Sequence, residues 1–293
     1  MEINWYAGHM ARAKRIIWEK LKAVDLVIEV ADARVPLSSR SPLAVSIRKS
    51  KSVILVLNKK DLADPLQTQR WVEWFRSGGT VAVSCDSLSG AGVGEVLEEM
   101  YRLLPAEVPE MGSAGSVSRG GGVPPLSFRR LTSMVVGIPN VGKSALINRL
   151  AGRKAARTGS LPGLTRGEQW IKVGKRLDLL DTPGVLAPHR DDPEKTRKLA
   201  VIGSVREEFF DAGEVAGWVL SWLLENRRAA LCEHFGIEAG KLDEVGSILD
   251  LIGRKRGFLK KGGEVDRQKT SIHIIKEFRS GRLGRFTLEY PPP

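Results

Sequence analysis

Short apolar runs rich in β-branched residues alternate with amphipathic segments over the first two thirds of the chain. Each of the early runs ends in a polar turn, and helical periodicity lies between them. The runs occupy residues 24–30, 53–57, 80–83, 131–136, 169–173 and 176–180. This alternation predicts βα units around a mostly parallel sheet, and the closely spaced last pair predicts two antiparallel strands.

The pattern changes beyond Pro188, where helical periodicity alone remains. Residues 215–235 and 269–278 carry it most clearly, and the second segment places apolar side chains on one side and basic side chains on the other. A stretch at about 105–127 is rich in Gly, Ser and Pro, which is typical of a linker. We therefore expect an α/β domain over residues 1–187 and a smaller, all-helical, basic domain over 188–293.

Length and composition are those of an ordinary globular protein. The chain has 293 residues, 42% of them hydrophobic and 27% charged, which suffices for about two domains. Residues 1–15 lack a signal-like apolar stretch, and no run approaches membrane-spanning length, so we expect a cytoplasmic protein without membrane attachment. Cys85 and Cys232 have no metal-ligand spacing and are expected to be free thiols.

Positive charge is concentrated near the C-terminus. The net charge is +12, and residues 252–286 hold eleven basic and three acidic side chains, which is eight of those twelve charges. A localised basic surface favours a polyanion such as RNA, although a solvated charged face gives the same pattern. The candidate RNA-binding residues are Arg254, Lys255, Arg256, Lys260, Lys261, Lys269 and Lys276.

A phosphate-binding motif lies between the fourth predicted strand and a helix. Residues 137–144, Gly-Ile-Pro-Asn-Val-Gly-Lys-Ser, fit G-x-x-x-x-G-K-[ST] in that context. Its backbone N–H groups and the following helix N-terminus would cradle phosphate oxygens, Lys143 would contact the β and γ phosphates, and the Ser144 hydroxyl would bind Mg²⁺. The predicted phosphate-binding residues are Asn140, Val141, Gly142, Lys143, Ser144 and Ala145.

Two further elements complete a magnesium and hydrolysis site. Residues 181–184, Asp-Thr-Pro-Gly, follow the last predicted strand. Asp181 can hold Mg²⁺ through water, and the Gly184 backbone can sense the γ phosphate. Thr165 lies between the two stronger motifs and is the candidate switch threonine that closes over Mg²⁺ during catalysis.

A base-reading motif, Asn-Lys-Lys-Asp at 58–61, predicts guanine recognition. The two carboxylate oxygens of Asp61 can accept the N1 and N2 hydrogens of guanine, a donor pair that adenine lacks. Mismatched buried polar groups cost about 1–3 kcal/mol each, so the site would select GTP over ATP. Asn58 and Lys59 would brace the loop and stack along the base. In the segment Ser84-Cys85-Asp86, at the end of the third predicted strand, a backbone N–H would reach the guanine O6. Cys85 is expected to be a small residue that lends its amide there, not a reactive thiol.

The order of these motifs indicates a circular permutation. In the usual arrangement the phosphate loop precedes the base-reading loop, whereas here residues 58–61 come before 137–144. No second Asn-Lys-x-Asp follows Gly184, so the early copy must serve. A linker at about 105–127 fits this arrangement, because the old termini of a permuted domain must be bridged.

The position that often holds a water-orienting glutamine, directly after Asp-x-x-Gly, is Val185. An apolar side chain cannot orient water, so hydrolysis needs another polar group. The candidates are His9 and Asn140, the latter through a bound potassium ion. A histidine near a terminus can equally be a surface or capping residue.

Together these residues resemble the circularly permuted ribosome-assembly GTPases of the bacterial ribosome biogenesis GTPase A type. Residues 5–13, Trp-Tyr-Ala-Gly-His-Met-Ala-Arg-Ala, resemble the family's Trp-Phe-Pro-Gly-His-Met-Ala-Lys-Ala, with Ala7 in place of proline. Residues 32–36, Asp-Ala-Arg-Val-Pro, resemble its Asp-Ala-Arg-x-Pro signature. Gln-Trp at 169–170 and Lys-Arg-Gly at 255–257 also correspond, whereas Cys85 replaces a usual alanine.

The resemblance implies GTP and GDP as ligands with Mg²⁺ and K⁺ as cofactors. It assigns the histidine at His9 to catalysis and the asparagine at Asn140 to potassium dependence. The helical domain is expected to dock on the precursor of the large ribosomal subunit, with the basic region against ribosomal RNA and ribosomal proteins. Asp32 and Arg34 could either cap a helix and pair with a carboxylate or contact the switch segments.

The expected activity is GTP hydrolysis by a monomer that promotes late maturation of the large subunit. Because Val185 equips the isolated site poorly, we expect hydrolysis to be slow alone and stimulated by ribosomal particles. Two other interpretations remain open at this stage. One is a factor in which GTP gates an RNA-modifying enzyme, and the other is an RNA-binding scaffold that does not hydrolyse GTP.

Overall fold

A computed structural model describes residues 7–103, 130–156, 169–186, 192–238 and 244–292, with side chains from residue 11 onward. The expected linker at about 105–127 lies outside these residues. The strands are β1 (Leu26–Asp32), β2 (Ser52–Asn58), β3 (Val81–Ser84), β4 (Leu131–Val136), β5 (Gln169–Val173) and β6 (Leu177–Asp181). The helices are α1 (Ala7–Leu21), α2 (Ala44–Ile47), α3 (Pro65–Ser77), α4 (Val93–Arg102), α5 (Lys143–Ala151), α6 (Pro193–Val201), α7 (Ala212–Asn226), α8 (Arg228–Phe235), α9 (Val245–Lys255) and α10 (Arg267–Arg279).

Within the described residues the sheet has six strands in the order β3-β2-β1-β4-β6-β5. The first four neighbouring pairs are parallel, and β5 runs antiparallel to β6. The mostly parallel sheet with an antiparallel final pair is therefore confirmed. The strands β2, β1, β4 and β6 are parallel neighbours in the sheet. The loops after β2, β4 and β6 therefore all lie at the same end of the sheet, where the carboxyl ends of the strands meet.

The central strands are mostly apolar because helices cover both faces of a parallel sheet. Every residue of β1 is buried. The buried carboxylate of Glu29 in β1 is neutralised by Arg40, whose Nη2 lies 2.6 Å from its Oε2.

The start of α3 is fixed by a capping residue. The Asp64 side chain accepts from the Gln67 N–H at 3.0 Å, and Pro65 occupies the first helical position.

The region after residue 192 is built mainly of helices, with α7 and α10 packed against each other. Two details differ from the sequence expectation. The segment 215–235 is not one helix, because α7 ends at Asn226 and α8 begins at Arg228, with Arg227 between them at φ −149°. Between α9 and α10 the backbone forms an isolated antiparallel bridge, Leu259 to Val265, so the region is not purely helical.

Residues 281–289, which we call the C-terminal strap, run from α10 back onto the loops of the α/β part. The Phe286 N–H donates to the Leu62 carbonyl at 3.1 Å, and the Leu288 N–H donates to the Arg34 carbonyl at 2.8 Å. One buried apolar cluster contains residues from the sheet and from the later helices. The boundary near residue 188 stays a prediction. No helix among the described residues is long and apolar enough to cross a membrane.

Candidate nucleotide-binding site

The base-reading and phosphate loops, far apart in the sequence, touch each other in the fold. They follow β2 and β4 at the same edge of the sheet, where the carboxyl ends of parallel strands meet. The Asn58 amide Nδ2 donates to the Val141 carbonyl at 2.8 Å, although 83 residues separate them. The structure therefore assembles one site from two loops in permuted order.

Asn58 uses both ends of its side-chain amide in this assembly. Its Oδ1 accepts from the Ser87 N–H at 3.1 Å and from the Ser87 hydroxyl at 2.7 Å, which ties in the loop after β3. Gly142 makes the approach of Asn58 possible, because a Cβ at Gly142 would lie 2.1 Å from the Asn58 Nδ2. Gly142 also has φ +97°, which disfavours other residues.

Lys59 braces the phosphate loop rather than extending freely beside it. Its backbone has φ +61°, and its Nζ donates to the Asn140 carbonyl at 2.5 Å. The same Nζ lies 3.1 Å from the Asp32 carboxylate. These contacts agree with the expectation that Lys59 braces the loop. Stacking of Lys59 along the base stays a prediction.

Asp32 and Arg34 form a buried ion pair and cap no helix. Arg34 donates through Nε and Nη2 to the two Asp32 oxygens at 2.9 and 2.8 Å, and its backbone N–H also reaches this carboxylate. Burial alone would raise the pKa of Asp32, but the charges of Arg34 and Lys59 hold it well below its usual range. Arg34 also donates to the Arg279 carbonyl at 3.3 Å, so the pair links β1, the base-reading loop and α10.

Lys143 begins α5 directly after the phosphate loop and folds back onto it. Its Nζ donates to the carbonyls of Gly137 and Ile138 at 3.2 and 2.9 Å. Burial lowers the pKa of Lys143 to about 8, with nearby Asp181 acting in the opposite direction. The ammonium is thus held inside the loop, where phosphate oxygens would be its natural partners.

Asp181 and Ser144 form an oxygen donor set suited to Mg²⁺. The Ser144 hydroxyl donates to the Asp181 Oδ2 at 3.3 Å, and the buried Oδ1 has no hydrogen-bond partner. Burial raises the pKa of Asp181, against the lowering effect of Lys143. Among the described residues there is no group of three or more His, Cys, Asp or Glu that could hold a metal. Mg²⁺ needs fewer, because it keeps several waters and uses one or two carboxylates with substrate phosphates, so these residues fit the ion.

Val185 lies on the segment that follows Asp181 and faces the protein interior. Its N–H approaches the Gly137 carbonyl at 3.3 Å, and its side chain is buried in a cluster with Ala13 and Ile17 of α1. The adjacent Gly184 lies against the Pro139 backbone. His9 belongs to the first turn of α1, but its side chain lies outside the described part of the chain. Thr165 is also outside the described residues.

An open cavity of about 550 Å³ lies at the base-reading end of the site. Asp61 lines it together with Lys60, Ser84, Asp86 and Arg285. The pKa of Asp61 is raised, first by partial burial and then by the nearby Asp86 charge. The sequence placed Asp86 in the segment expected to reach the guanine O6 but gave its side chain no role, and no motif contains Arg285.

Cys85 differs from the expectation in one respect. Its N–H donates to the Leu57 carbonyl at 2.9 Å and extends the β2–β3 ladder, so in this structure it is not the amide that faces the cavity. Burial raises the pKa of the Cys85 thiol to about 12, which fits an unreactive packing residue. Both cysteines are free.

The helical region contacts the phosphate loop, which the sequence did not predict. The Asn140 Nδ2 donates to the Gly203 carbonyl at 2.6 Å, and the Ser204 hydroxyl donates to the Pro139 carbonyl at 2.8 Å. Asn140 has φ +62°, so its backbone is held in an uncommon conformation at this junction. Potassium binding by Asn140 stays a prediction.

All seven candidate RNA-binding side chains are exposed, and they lie at the end of α9, in the following turn and along α10. Two of them rest on aromatic rings, with Arg256 5.7 Å from the Phe235 ring centre and Lys269 4.8 Å from that of Phe258. The region thus presents clustered positive charge to solvent. Binding of RNA there stays a prediction.

A mostly parallel sheet that carries the base-reading loop before the phosphate loop defines a circularly permuted P-loop GTPase with a smaller helical C-terminal region. A family model described as 50S ribosome-binding GTPase matches residues 132–218. Ribosome biogenesis GTPase A of Priestia megaterium is 40% identical over 291 residues, which cover 99% of this chain and 98% of that protein. The chain belongs to the ribosome biogenesis GTPase A family.

More distant relatives also align over nearly the whole chain. The Thermotoga maritima ribosome biogenesis GTPase A is 31% identical over 290 residues, covering 99% of this chain and 95% of that protein. Mouse mitochondrial ribosome-associated GTPase 1 is 34% identical over 313 residues, covering 98% and 90%. The crystal structure of GNP-bound YlqF from T. maritima superposes with a TM-score of 0.64 at 27% identity, covering 96% of this chain and 98% of that chain. A GDP-bound YlqF structure gives 0.66 at 27% identity, covering 94% and 99%.

Proposed function

We propose that this protein binds and hydrolyses GTP while docked on the precursor of the large ribosomal subunit, and that it promotes a late step of maturation. The observation that carries the proposal is the direct contact between the nucleotide loops and the basic helical region. Asn140 reaches Gly203, and Ser204 reaches Pro139, so a change in the phosphate loop alters the support of that region. The names of the relatives support ribosomal particles as the partner.

At the phosphate end, we assign roles from the donor sets present. Lys143 holds phosphate oxygens, and Ser144 with Asp181 would hold Mg²⁺, which neutralises charge developing on those oxygens. The backbone of Gly184 lies against the phosphate loop, which supports the proposal that it senses the γ phosphate. Thr165 is proposed to close over the metal.

At the hydrolysis step the chain is poorly equipped on its own. Val185 occupies the position of a water-orienting glutamine and is buried. Its side chain has no polar atom, so it can neither orient nor deprotonate water. We propose that His9 at the start of α1 and a potassium ion held through the Asn140 side-chain oxygen supply the missing polarity. Docking on a ribosomal particle would arrange these groups, so hydrolysis is slow in isolation.

The test is phosphate release with and without purified large-subunit precursors, measured in potassium and in sodium. We expect stimulation by about 10³, as for other activated GTPases, and co-sedimentation that depends on a non-hydrolysable GTP analogue. Equal rates with and without particles contradict the stimulation. Failure to co-sediment favours the RNA-modification alternative, and no phosphate release in either salt favours the scaffold alternative.

A pair of charge reversals tests which surface docks. Lys260→Glu with Lys261→Glu should abolish co-sedimentation without changing GDP affinity, because both side chains are exposed on the turn between α9 and α10. Arg153→Glu with Lys154→Glu is the matched control, since it reverses two adjacent exposed charges after α5. Equal losses from both pairs would show that binding responds to net charge alone.

A further inference from the structure

The C-terminal strap, residues 281–289, lies along the base-reading loop. Arg285 donates from Nε to the Ala63 carbonyl at 3.0 Å and from Nη2 to the Lys60 carbonyl at 2.8 Å. These two carbonyls flank Asp61 in the chain. The Phe286 N–H donates to the Leu62 carbonyl at 3.1 Å, so the strap binds three of the four backbone carbonyls of residues 60–63.

Neighbouring contacts extend this attachment beyond Arg285. The Asp64 N–H donates to the buried Thr287 hydroxyl at 3.2 Å. Gly281, which has φ +74°, lies so close that a Cβ there would sit 2.7 Å from the Leu62 Cδ2. The strap thus fits against residues 60–64 with backbone, side-chain and packing contacts.

The far end of the strap has its own contacts, which are separate from those to residues 60–64. The buried Glu289 carboxylate accepts from the Leu37 N–H at 2.7 Å and from the Ser38 hydroxyl. The Trp71 Nε1 donates to the Glu289 carbonyl at 3.0 Å. Its near end continues from α10, whose last residue, Arg279, supplies the carbonyl contacted by Arg34.

We propose that Arg285 is a positioning residue for guanine recognition, which fixes the aim of the Asp61 carboxylate by holding the carbonyls on either side of it. Specific base reading requires the two Asp61 oxygens to accept from the N1 and N2 donors of guanine, both at hydrogen-bond distance. If the loop shifts, the carboxylate can no longer reach both donors, and the contact with N2 is weakened. The base-reading end is thereby coupled to the helical region. A ligand that displaces the strap should therefore weaken guanine binding. By thermodynamic linkage, bound guanine nucleotide weakens the binding of that ligand by the same factor.

The inference rests on the proposed role of Asp61 and is tested by the ratio of GDP to IDP affinity in the full chain. Inosine lacks the N2 amino group, so this ratio reports how well the second Asp61 oxygen is aimed. Arg285→Ala should lower the ratio by about tenfold, equivalent to about 1.4 kcal/mol. Arg285→Lys should restore part of it, because an ammonium can donate to one of the two carbonyls.

Arg70→Ala is the matched control, because it removes an equal charge from an exposed position on nearby α3. An unchanged GDP to IDP ratio in a folded Arg285→Ala protein would overturn the inference. This holds even if both affinities fall, because an equal fall in both reports a general disturbance of the site and not a loss of aim of Asp61. If Arg285→Ala does not fold, the isosteric Thr287→Val removes one strap contact and should still lower the ratio. An unchanged ratio there would also overturn it.

Asp61→Asn, measured in parallel, separates this inference from the proposed function. If Asp61→Asn leaves the ratio unchanged, Asp61 does not read the base, and both ideas fail together. If Asp61→Asn abolishes the preference but the strap variants do not alter it, the positioning role of Arg285 alone is wrong.

Discussion

Asp32 is the residue on which three parts of the site converge. Its buried carboxylate pairs with Arg34 and Lys59, and these two carry contacts to α10 and to the phosphate loop. The Asp-Ala-Arg pattern identified Asp32 and Arg34 as notable but left their role open. Their partner Lys59 lies on the next strand's loop, a separation that motif spacing cannot reveal.

Asp32→Asn should lower the free energy of unfolding at neutral pH by about 3–5 kcal/mol, because it leaves buried cations uncompensated. Chemical denaturation monitored by circular dichroism measures this loss. Asp250→Asn is the control, since Asp250 pairs with the exposed Arg267 at the surface and should cost far less.

The same variant tests the pH dependence of stability. The pKa of Asp32 is lower in the folded than in the unfolded state, so its stabilising effect is complete above the unfolded value of about 3.9. It is lost as pH falls through the folded value. The stability gap between the wild-type protein and Asp32→Asn should therefore narrow steadily below about pH 4. A gap that widens on acidification contradicts the assigned shift.

At the scale of elements, α1 supports the segment that follows β6. Ala13 and Ile17 pack with Val185 in one buried cluster, so the first helix of the permuted chain lies against the hydrolysis side of the site. The backbone of His9 therefore belongs to a helix that packs on the segment after β6. The sequence identified His9 through resemblance, whereas the packing of α1 needed the fold.

Ile17→Ala should destabilise the protein by about 2–5 kcal/mol, the usual cost of a cavity in a core. Ile17 is 1% exposed, so little relaxation around it is available. Thermal unfolding measures the loss, and Lys14→Ala on the exposed side of the same helix should change little. If the two variants melt alike, α1 does not pack as described.

Element boundaries were predictable where the apolar pattern was strong. The runs at 131–136 and 169–173 coincide with β4 and β5, because buried strands read as continuous or alternating apolar positions. The break between α7 and α8 contains no Gly or Pro. The helical pattern of apolar residues continues across Arg227, so the sequence predicts one helix where the structure has two. The C-terminal strap was missed since its partners lie more than 200 residues away, as in the contact of Glu289 with Ser38.

At the scale of the whole molecule, the candidate nucleotide site is built from loops that the permutation has rearranged along the chain. The base-reading loop is held by the strap, and the phosphate loop by residues 203–204. The helical region therefore contacts both ends of the candidate site. Under the proposed function, a nucleotide-dependent change in either loop would reach the helical region through these contacts.

The most direct test of the central claim is equilibrium binding of GDP, ADP and xanthosine diphosphate to the wild-type protein and to Asp61→Asn. One site built from both loops predicts tight GDP binding, no measurable ADP binding, and a shift of Asp61→Asn toward the xanthosine nucleotide, whose C2 carbonyl can accept from an amide. Lys143→Ala should weaken every nucleotide, because it removes the ammonium inside the phosphate loop. Equal binding of GDP and ADP by the wild-type protein, or an unchanged base preference in Asp61→Asn, would contradict the account.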